Sequence, residues 1–258
     1  MVTITRTHVS KKKLLALLPD AGAPGWTNYA TPGTPPLLPD DGIDAEAGES
    51  FRDIAEASDT GSVLFVREGE ATLVVPPFPV EEAVSYSELH TRPLIALLER
   101  PRAVAAFLLR KGGFTTGFFR GAALVDSKTD RRFVKNRHRK GGQSQRRFDR
   151  IREKQVYELF EMACEDARET LEPYEADIEW VLLGGDRHTL QDFRKQCRYF
   201  DRFGARVLKR TLLVAGDPRK ASLEHAPHEI WSSEVYVAAQ VSEPEAAIAS
   251  ALRRRFSA

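Results

Sequence analysis

The chain has 258 residues, 42% of them hydrophobic, which is enough to bury one sizeable core or two smaller ones. Its 38 Lys and Arg residues balance 37 Asp and Glu residues, so the formal net charge is only +1. The N-terminal MVTITRTHVSKKK lacks an apolar signal core and no apolar run approaches the length of a membrane span, so we expect an intracellular, cytoplasmic protein with no membrane partner.

The first 100 residues are predicted to form a small α+β domain whose role the sequence does not reveal. Branched residues on both sides of REGE indicate a hairpin, and the Pro-, Gly- and Asp-rich stretch before it indicates a long irregular loop. The predicted elements are a helix over 11–18 that ends at Pro19, a loop over 19–48, strands over 62–66 and 72–75, and a helix over 93–99.

A second domain is predicted over 101–232, after a boundary near Arg100. Alternating strands and helices place it in the α/β (α+β) class, with a mixed sheet and packed helices. Its predicted elements are strands over 104–109, 114–119, 122–125 and 132–134, with a turn over 126–130, then a helix over 144–169, a strand over 178–183, a helix over 189–200 and a strand over 207–215.

The last residues, 233–258, are predicted to contain a strand over 235–241 and a helix that ends in Arg253, Arg254 and Arg255. This strand can return to the sheet of the first domain or stay apart from it, and the sequence leaves both arrangements open. Cys164 and Cys197 lie in predicted helices among apolar residues, so we expect buried free thiols, in agreement with a reducing cytoplasm.

Positive charge is concentrated in one stretch of the second domain. Between Lys128 and Lys154 there are 12 Lys and Arg against 3 Asp and Glu, a local net charge of +9, and because the whole chain is +1 the remainder sums to −8. A solvated charged face is the ordinary explanation of such a run. Here the run, KNRHRKGGQSQRRFDRIREK from Lys135, encloses a glycine tip, which favours an RNA-binding surface.

The helix predicted after the tip has its charges in an unfavourable order. Arg and Lys fill its first turns and Glu and Asp its later turns, whereas the helix dipole favours the reverse by about 0.3–1 kcal/mol per charge. Local rules of this kind tend to be broken at functional sites. One apolar stripe is predicted to be buried, formed by Phe148, Ile151, Gln155, Leu159, Ala163 and Ala167.

The tip, Gly141-Gly142-Gln143, offers a backbone that approaches a substrate closely and an amide side chain that orients a water. An exposed N–H group there can stabilise the charge that develops on an ester oxygen. Ser144 lacks an adjacent base, since His138 lies beyond the two glycines, so a Ser-His hydrolase is disfavoured. Such a tip can promote ester hydrolysis only if another molecule supplies the rest of the active site.

The segment GGQSQRRFDRIRE resembles the GGQ-S-x-x-R-F-x-R-x-R segment of eukaryotic and archaeal class I release factors, and the resemblance extends over about 100–232. Within that superfamily it is most similar to the Vms-type release factors. The resemblance implies a loop that enters the peptidyl-transferase centre, with Gly141 and Gly142 shaping the tip and Gln143 catalytic, ahead of Gln145 as a substitute. It also implies contacts with rRNA or the tRNA acceptor end by Lys135, Arg137, His138, Arg139, Lys140, Arg146, Arg147 and Arg150.

Two departures from the classical factors narrow the expected function. The Asn-Ile-Lys-Ser and Tyr-x-Cys signatures of codon reading do not occur in 1–100, and too little chain follows 232 for the domain that recruits a partner GTPase. We therefore expect a ribosome-dependent peptidyl-tRNA hydrolase that rescues stalled or split large subunits, a monomer off the ribosome that needs no cofactor and no metal. The alternatives are a non-catalytic RNA-binding module of the ribosome and a hydrolase of free peptidyl-tRNA.

Two other motifs are given structural interpretations. His225 and His228 have a spacing found in metal sites, but Pro227 between them is expected to break the helix that would align them. Gly184-Gly185-Asp186 follows a strand without the spacing of a phosphate-binding loop, and a strand-to-helix turn is expected there.

Overall fold

The structure is a computed structural model that describes residues 2–67, 70–134, 143–213 and 216–240. The chain divides into two compact units. The N-terminal unit combines Met1–Arg100 with Trp231–Ala258, and the central unit is Pro101–Ile230. The helix predicted near Arg253 lies outside the described residues. Within the described ranges, no helix is long and apolar enough to cross a membrane.

The N-terminal unit is built on an antiparallel sheet of six strands in the order β1-β11-β4-β3-β2-β5. Its elements are β1 (Val2–Val9), α1 (Lys11–Leu17), β2 (Trp26–Ala30), α2 (Ala45–Ala57), β3 (Ser62–Arg67), β4 (Glu70–Val75), β5 (Val84–Tyr86), α3 (Arg92–Glu99) and β11 (Ser233–Gln240). β11 pairs with both β1 and β4, so the strand predicted near the end of the chain belongs to the sheet of this unit.

Both faces of this sheet are buried. Successive side chains of a strand point to opposite faces, and Val63 packs in one apolar cluster with Leu94 of α3, while Leu64 packs in the other with Phe51 of α2. A sheet covered on both faces accounts for strands in which consecutive residues are apolar. Helices thus lie on each side of the sheet, which gives this unit three layers.

The long loop predicted over 19–48 is wrong in part, because β2 lies inside it and α2 begins within it. β2 escapes a search for apolar patterns because Thr27 and Asn28, both buried, lie at its centre. Their polar groups are satisfied: the Thr27 hydroxyl donates to the carbonyl oxygen of Glu88 at 2.8 Å, and the Asn28 Oδ1 accepts from the backbone N–H of Leu37 at 3.0 Å. Buried polar groups with such partners are tolerated in a central strand.

The central unit has a mixed sheet of five strands in the order β10-β9-β6-β7-β8, parallel across β10, β9 and β6 and antiparallel across β6, β7 and β8. Its elements are β6 (Ala103–Arg110), β7 (Gly113–Arg120), β8 (Ala123–Arg131), α4 (Gln143–Leu171), β9 (Trp180–Gly185), α5 (Arg187–Gln196), β10 (Val207–Leu212), α6 (Lys220–Ile230), and 3-10 helices over Glu172–Tyr174 and Tyr199–Arg206. The predicted α+β class and mixed sheet are confirmed.

β8 corrects one prediction in this unit. The turn expected over 126–130 does not exist, because these residues belong to the continuous strand β8, which pairs with β7. The strand expected over 132–134 is also wrong, because β8 ends at Arg131. Three of the polar residues that resemble a turn, Asp126, Lys128 and Thr129, have side-chain partners on neighbouring elements. The hydroxyls of Thr115 and Thr129 lie 2.6 Å apart, and the Tyr174 hydroxyl lies 3.4 Å from the Asp126 carboxylate. Pairing across the sheet therefore overrides the turn propensity of this sequence.

The core of the central unit lies between the sheet and the helices α4 and α5. It includes Phe107 and Phe118 from the sheet, Phe193 from α5, and Leu159 and Ala163 from α4, all fully buried. The rings of Phe107 and Phe193 stack with their centroids 4.8 Å apart. The start of α4 extends beyond this core, and its exposure is described below.

Cys164 and Cys197 form a disulfide, so the expectation of free thiols is wrong. Cys164 lies in α4 and Cys197 directly follows α5, and the packing of both helices on the same core brings their Cα atoms to 5.6 Å. The 33 residues between them in sequence conceal this proximity. The bond joins α4 to the residue that follows α5, a contact that the periodicity of the sequence does not predict.

Candidate functional site

The predicted site residues fall into two groups. Most lie outside the described residues, either entirely or with their side chains: Lys135, Arg137, His138, Arg139, Lys140, Gly141, Gly142, Gln143 and Arg146. Residues 135–142, which we call the glycine segment, lie in the chain between β8, which ends at Arg131, and α4, which begins at Gln143. Arg147 and Arg150 are described, and both are exposed on the first turns of α4.

Ion pairs join β8 and Arg132 to α4, the elements before and after the glycine segment in the chain. We call β8 and α4 together the stem. The Lys128 Nζ atom lies 2.7 Å from Asp166 and 2.8 Å from Glu169, and the Arg132 guanidinium lies 2.6 Å from Glu158. Hydrogen bonds with Asp166 and Glu169 raise the pKa of Lys128, and the bond with Lys128 lowers the pKa of Glu169. These ion pairs thus hold together the two elements between which the glycine segment lies in the chain.

These ion pairs explain half of the unfavourable charge order along α4. Glu158, Asp166 and Glu169 occupy the later turns because cations of β8 and the residue after it lie opposite them. They do not explain the arginines of the first turns. Within the ranges that the structure describes, neither Arg147 nor Arg150 has a carboxylate partner, and both side chains are exposed.

The buried stripe predicted along α4 is correct in its second half and wrong at its start. Leu159, Ala163 and Ala167 are fully buried, whereas Phe148 is 48% exposed. Phe133, directly after Arg132, is 74% exposed and was not singled out from the sequence. Its signal was available, since an aromatic residue next to two arginines in a basic run is typical of RNA-binding surfaces. Two exposed phenylalanines therefore lie on the two sides of the glycine segment in the chain.

The histidine pair predicted to lack a helix lies within one. α6 continues through Pro227, and His225 and His228 line an open cavity of about 700 Å³ between α6 and the residues after β10. A proline late in an eleven-residue helix costs one hydrogen bond and does not end it here. Across the described residues, no group of three or more His, Cys, Asp or Glu side chains is placed to hold a metal ion.

Gly184-Gly185-Asp186 forms the predicted strand-to-helix turn. A Cβ atom at Gly185, whose φ is 142°, would overlap the carbonyl oxygen of Leu109, so only glycine fits this close approach. The Asp186 carboxylate accepts a hydrogen bond from the backbone N–H of Thr189 at 2.9 Å and caps α5. These residues have structural roles in the turn.

Comparison with known proteins assigns the central unit to the translation release factors. Peptide chain release factor subunit 1 of Methanopyrus kandleri is 31% identical over 125 residues, which are 48% of this chain and 30% of that protein. The corresponding factor of Aeropyrum pernix is 31% identical over 145 residues, 52% of this chain and 38% of that protein. The similarity thus spans about a third of the length of these relatives.

A family model makes the assignment more specific. The model of the Actinobacteria/Chloroflexi VLRF1 release factor matches residues 102–236, just over half of the chain. The protein therefore belongs to the Actinobacteria/Chloroflexi VLRF1 release factor family. Its narrower assignment to the Vms type stays a prediction.

Solved structures with detectable similarity include two archaeal proteins. The archaeal translation termination factor aRF1 gives a TM-score of 0.38 at 20% identity, covering 86% of this chain and 73% of that one. Pelota of Archaeoglobus fulgidus gives a TM-score of 0.29 at 9% identity, covering 88% of this chain and 63% of that one.

Proposed function

We propose that this protein is a ribosome-dependent peptidyl-tRNA hydrolase that frees the nascent peptide on stalled or split large ribosomal subunits. Its proposed partners are large-subunit rRNA and peptidyl-tRNA, and it is proposed to act as a monomer. Because ribosomes are its proposed site of action, its proposed location is the cytoplasm, even though disulfides such as Cys164–Cys197 are uncommon in that compartment. Membership of a release factor family supports the general class of activity. The further steps, namely rescue and catalysis by this chain, are our proposal.

One observation carries the proposal: the Gly-Gly-Gln sequence leads directly into the start of a 29-residue helix whose exposed arginines have no carboxylate partner in the described parts of the chain. The first turn of a helix leaves backbone N–H groups without intrahelical acceptors and carries partial positive charge. Arg147 and Arg150 add full charges to this end. The combination attracts phosphates and a developing oxyanion, which are the anionic groups that ester cleavage on tRNA presents.

In the proposed mechanism, Arg147 and Arg150 contact RNA phosphates, together with Lys135, Arg137, His138, Arg139, Lys140 and Arg146. Gly141 and Gly142 let the backbone approach the ester that joins peptide to tRNA. The Gln143 carboxamide orients a water against the ester carbonyl, and a backbone N–H group near it stabilises the oxyanion. Water supplies the hydroxyl of the new peptide carboxylate, and its proton passes to the ribose oxygen that leaves. No metal or cofactor is needed for this reaction.

The test is a single-turnover peptide release assay on large subunits that carry labelled peptidyl-tRNA. Gln143→Ala is expected to slow release by roughly a hundredfold or more, the loss typical of removing one group that stabilises the transition state. Gln145→Ala is the matched control, since it removes the same carboxamide two residues later and should leave release close to that of the parent. If Gln143→Ala releases peptide as fast as the parent protein, Gln143 does not have the proposed role.

The same assay separates the other two functions. A parent protein that binds large subunits in a salt-sensitive way but releases no peptide from any complex is a non-catalytic RNA-binding module. Release from free peptidyl-tRNA without ribosomes identifies a stand-alone hydrolase. Release from assembled ribosomes at a rate that depends on a stop codon would contradict the proposed role in rescue.

A further inference from the structure

We propose that Phe133 is a stacking platform for an unpaired RNA base at the foot of the glycine segment, with the exposed arginines and lysines around it holding the adjacent phosphates. This inference rests on the proposed function, because it names the RNA contact of the same site. It adds an aromatic residue to the predicted set of RNA-binding residues, all of which are cationic except His138.

The two residues next to Phe133 in the chain are both anchored to the central unit. On one side, the Arg132 N–H donates to the carbonyl oxygen of Gly112 at 3.2 Å and its guanidinium pairs with Glu158 of α4 at 2.6 Å. On the other side, the half-buried Val134 packs against the core of the central unit. Both neighbours are thus attached to the structure, and Phe133 between them is 74% exposed. The backbone that carries the ring is therefore held in place, so less backbone freedom is lost when the ring binds.

Cations lie next to Phe133 in the chain and on the first turns of α4. Arg131, next in sequence to Arg132, is exposed, and its backbone rather than its side chain is bonded to Asp130. Lys154 is 77% exposed and lies 3.8 Å from Glu158, the same carboxylate that Arg132 binds. Arg147 lies seven residues before Lys154, about two helical turns, so the two cations share one face of α4. The acidic residues of these turns, Asp149 and Glu153, are outnumbered by the cations.

The surroundings of Phe133 suit RNA better than a protein partner. Large apolar groups that contact proteins occur in continuous apolar patches, whereas Phe133 directly follows Arg131 and Arg132, and Lys135 comes after one intervening valine. A single aromatic ring among cations instead matches the way proteins bind single-stranded RNA, in which a base stacks on the ring and cations bind the backbone. Phe148, 48% exposed on the other side of the glycine segment, offers a second ring of the same kind.

The experiment measures stacking directly. The probe is a single-stranded RNA of about nine nucleotides, within the range that one such site covers, with 2-aminopurine in place of one base. Fluorescence of this base is quenched when it stacks on an aromatic ring. The variants are Phe133→Ala, Phe133→Leu and Phe133→Trp, in the full-length protein at low salt. Leu213→Ala is the matched control, because Leu213 is 71% exposed in the same unit but lies beside α6.

The parent and Phe133→Trp are expected to bind the RNA and quench it. Phe133→Ala and Phe133→Leu should lose the quenching, and Phe133→Ala should weaken binding at least about fivefold, the lower limit for losing one stacked base. Leu213→Ala should match the parent. All variants should keep the melting temperature of the parent, since the altered side chains are exposed, and this separates lost contact from lost fold.

Two results would overturn the inference. The first is a parent protein that binds the RNA without quenching it. The second is a Phe133→Ala variant that keeps the RNA affinity of the parent but binds large subunits less tightly, which would place Phe133 against a ribosomal protein. Neither result depends on Gln143, so failure of the stacking platform is distinguishable from failure of the release reaction. Conversely, normal release by Gln143→Ala would refute the proposed function and leave the stacking result unaffected.

Discussion

The two halves of α4 differ in almost every physical property although they form one uninterrupted helix. From Arg147 to Glu158 no described side chain is buried, and Arg147, Arg150 and Lys154 are exposed. From Leu159 to Leu171 seven of thirteen residues are buried, and the acidic Asp166 and Glu169 pair with Lys128 of β8. The second half is buried in the core, whereas the first half approaches the core near its end, where the half-buried Val156 packs against it.

This difference shows how a helix can hold a cationic end in place against its own dipole. Each Arg or Lys side chain near the N-terminus destabilises the helix by about 0.3–1 kcal/mol, and a short surface helix has little stability to offset this. Burial of Leu159, Ala163 and Ala167 stabilises the helix as a whole, so its first turns need not be stable by themselves. The turns that stabilise the helix by burial are therefore different from the turns that we propose to contact RNA.

The largest expected effect comes from a substitution in the buried half. Leu159→Ala should lower the free energy of unfolding by about 2–5 kcal/mol, because it removes a fully buried side chain and leaves a cavity. Phe148→Ala, a larger truncation in the same helix, should cost less than about 1 kcal/mol, because that ring is half exposed. Chemical denaturation measures both. Equal losses would show that the first turns belong to the core after all.

The disulfide adds a second way to weaken the buried half. Breaking the bond between Cys164 and Cys197, by reduction or by Cys197→Ser, should lower the free energy of unfolding by about 3–4 kcal/mol, the loop-closure value for 33 residues. The measurement is denaturation with and without a reducing agent. In Cys197→Ser the reducing agent should have no further effect. A parent protein whose stability is unchanged by reduction would show that the two thiols are not joined in solution.

The elements that the sequence predicted correctly are those whose signal is local. The hairpin of β3 and β4, the strands β6 and β7 and the long helix α4 each have a continuous apolar or periodic pattern, and all are found near their predicted bounds. β8 and β2 were misassigned for one physical reason. Polar residues at their centres look like turn or loop residues until partners such as Thr115 for Thr129 and Glu88 for Thr27 are known.

The residues of the candidate site could be predicted from the sequence, but the contacts that hold the surrounding elements together could not. The basic run and the glycine tip are contiguous in sequence, so motif and charge alone identify them. The contacts that brace them are not contiguous: Lys128 and Glu169 are 41 residues apart. The exposure of Phe133 also depends on the separate anchors of Arg132 and Val134, which no periodicity reveals.

The exposed half is altered most directly through its charges. Replacing Arg147 and Arg150 together by Gln should weaken binding to large subunits and reduce the slope of log affinity against log salt by about 1.5, the value for two phosphate contacts. Stability should change by less than about 0.5 kcal/mol, as is usual for surface positions. Titration at several salt concentrations measures the slope.

The chain supplies a matched control for this pair. Arg194 and Arg198 are exposed arginines of the same unit, and both guanidinium groups lie near Asp201, at 3.6 and 3.2 Å. Replacing these two by Gln removes the same charge from a surface that we do not place against RNA. An equal change in the salt slope for both pairs would mean that net charge, rather than the start of α4, governs binding.

The smallest expected effect tests whether ion pairing contributes to holding the stem. The pKa of Glu169 is lowered by Lys128, so the stabilisation from this pair is complete above the pKa of an unfolded glutamate, about 4.3, and is lost as the pH falls through the lower folded value. Glu169→Gln should therefore melt slightly below the parent at pH 7, and this deficit should shrink as the pH falls below about 4.3. Glu165→Gln, which removes an exposed charge one turn earlier, should show no such convergence. If the deficit of Glu169→Gln does not shrink at all as the pH falls below about 4.3, charge is not its cause. Packing rather than ion pairing would then hold this end of β8 against α4, and the acidic later turns would need another explanation.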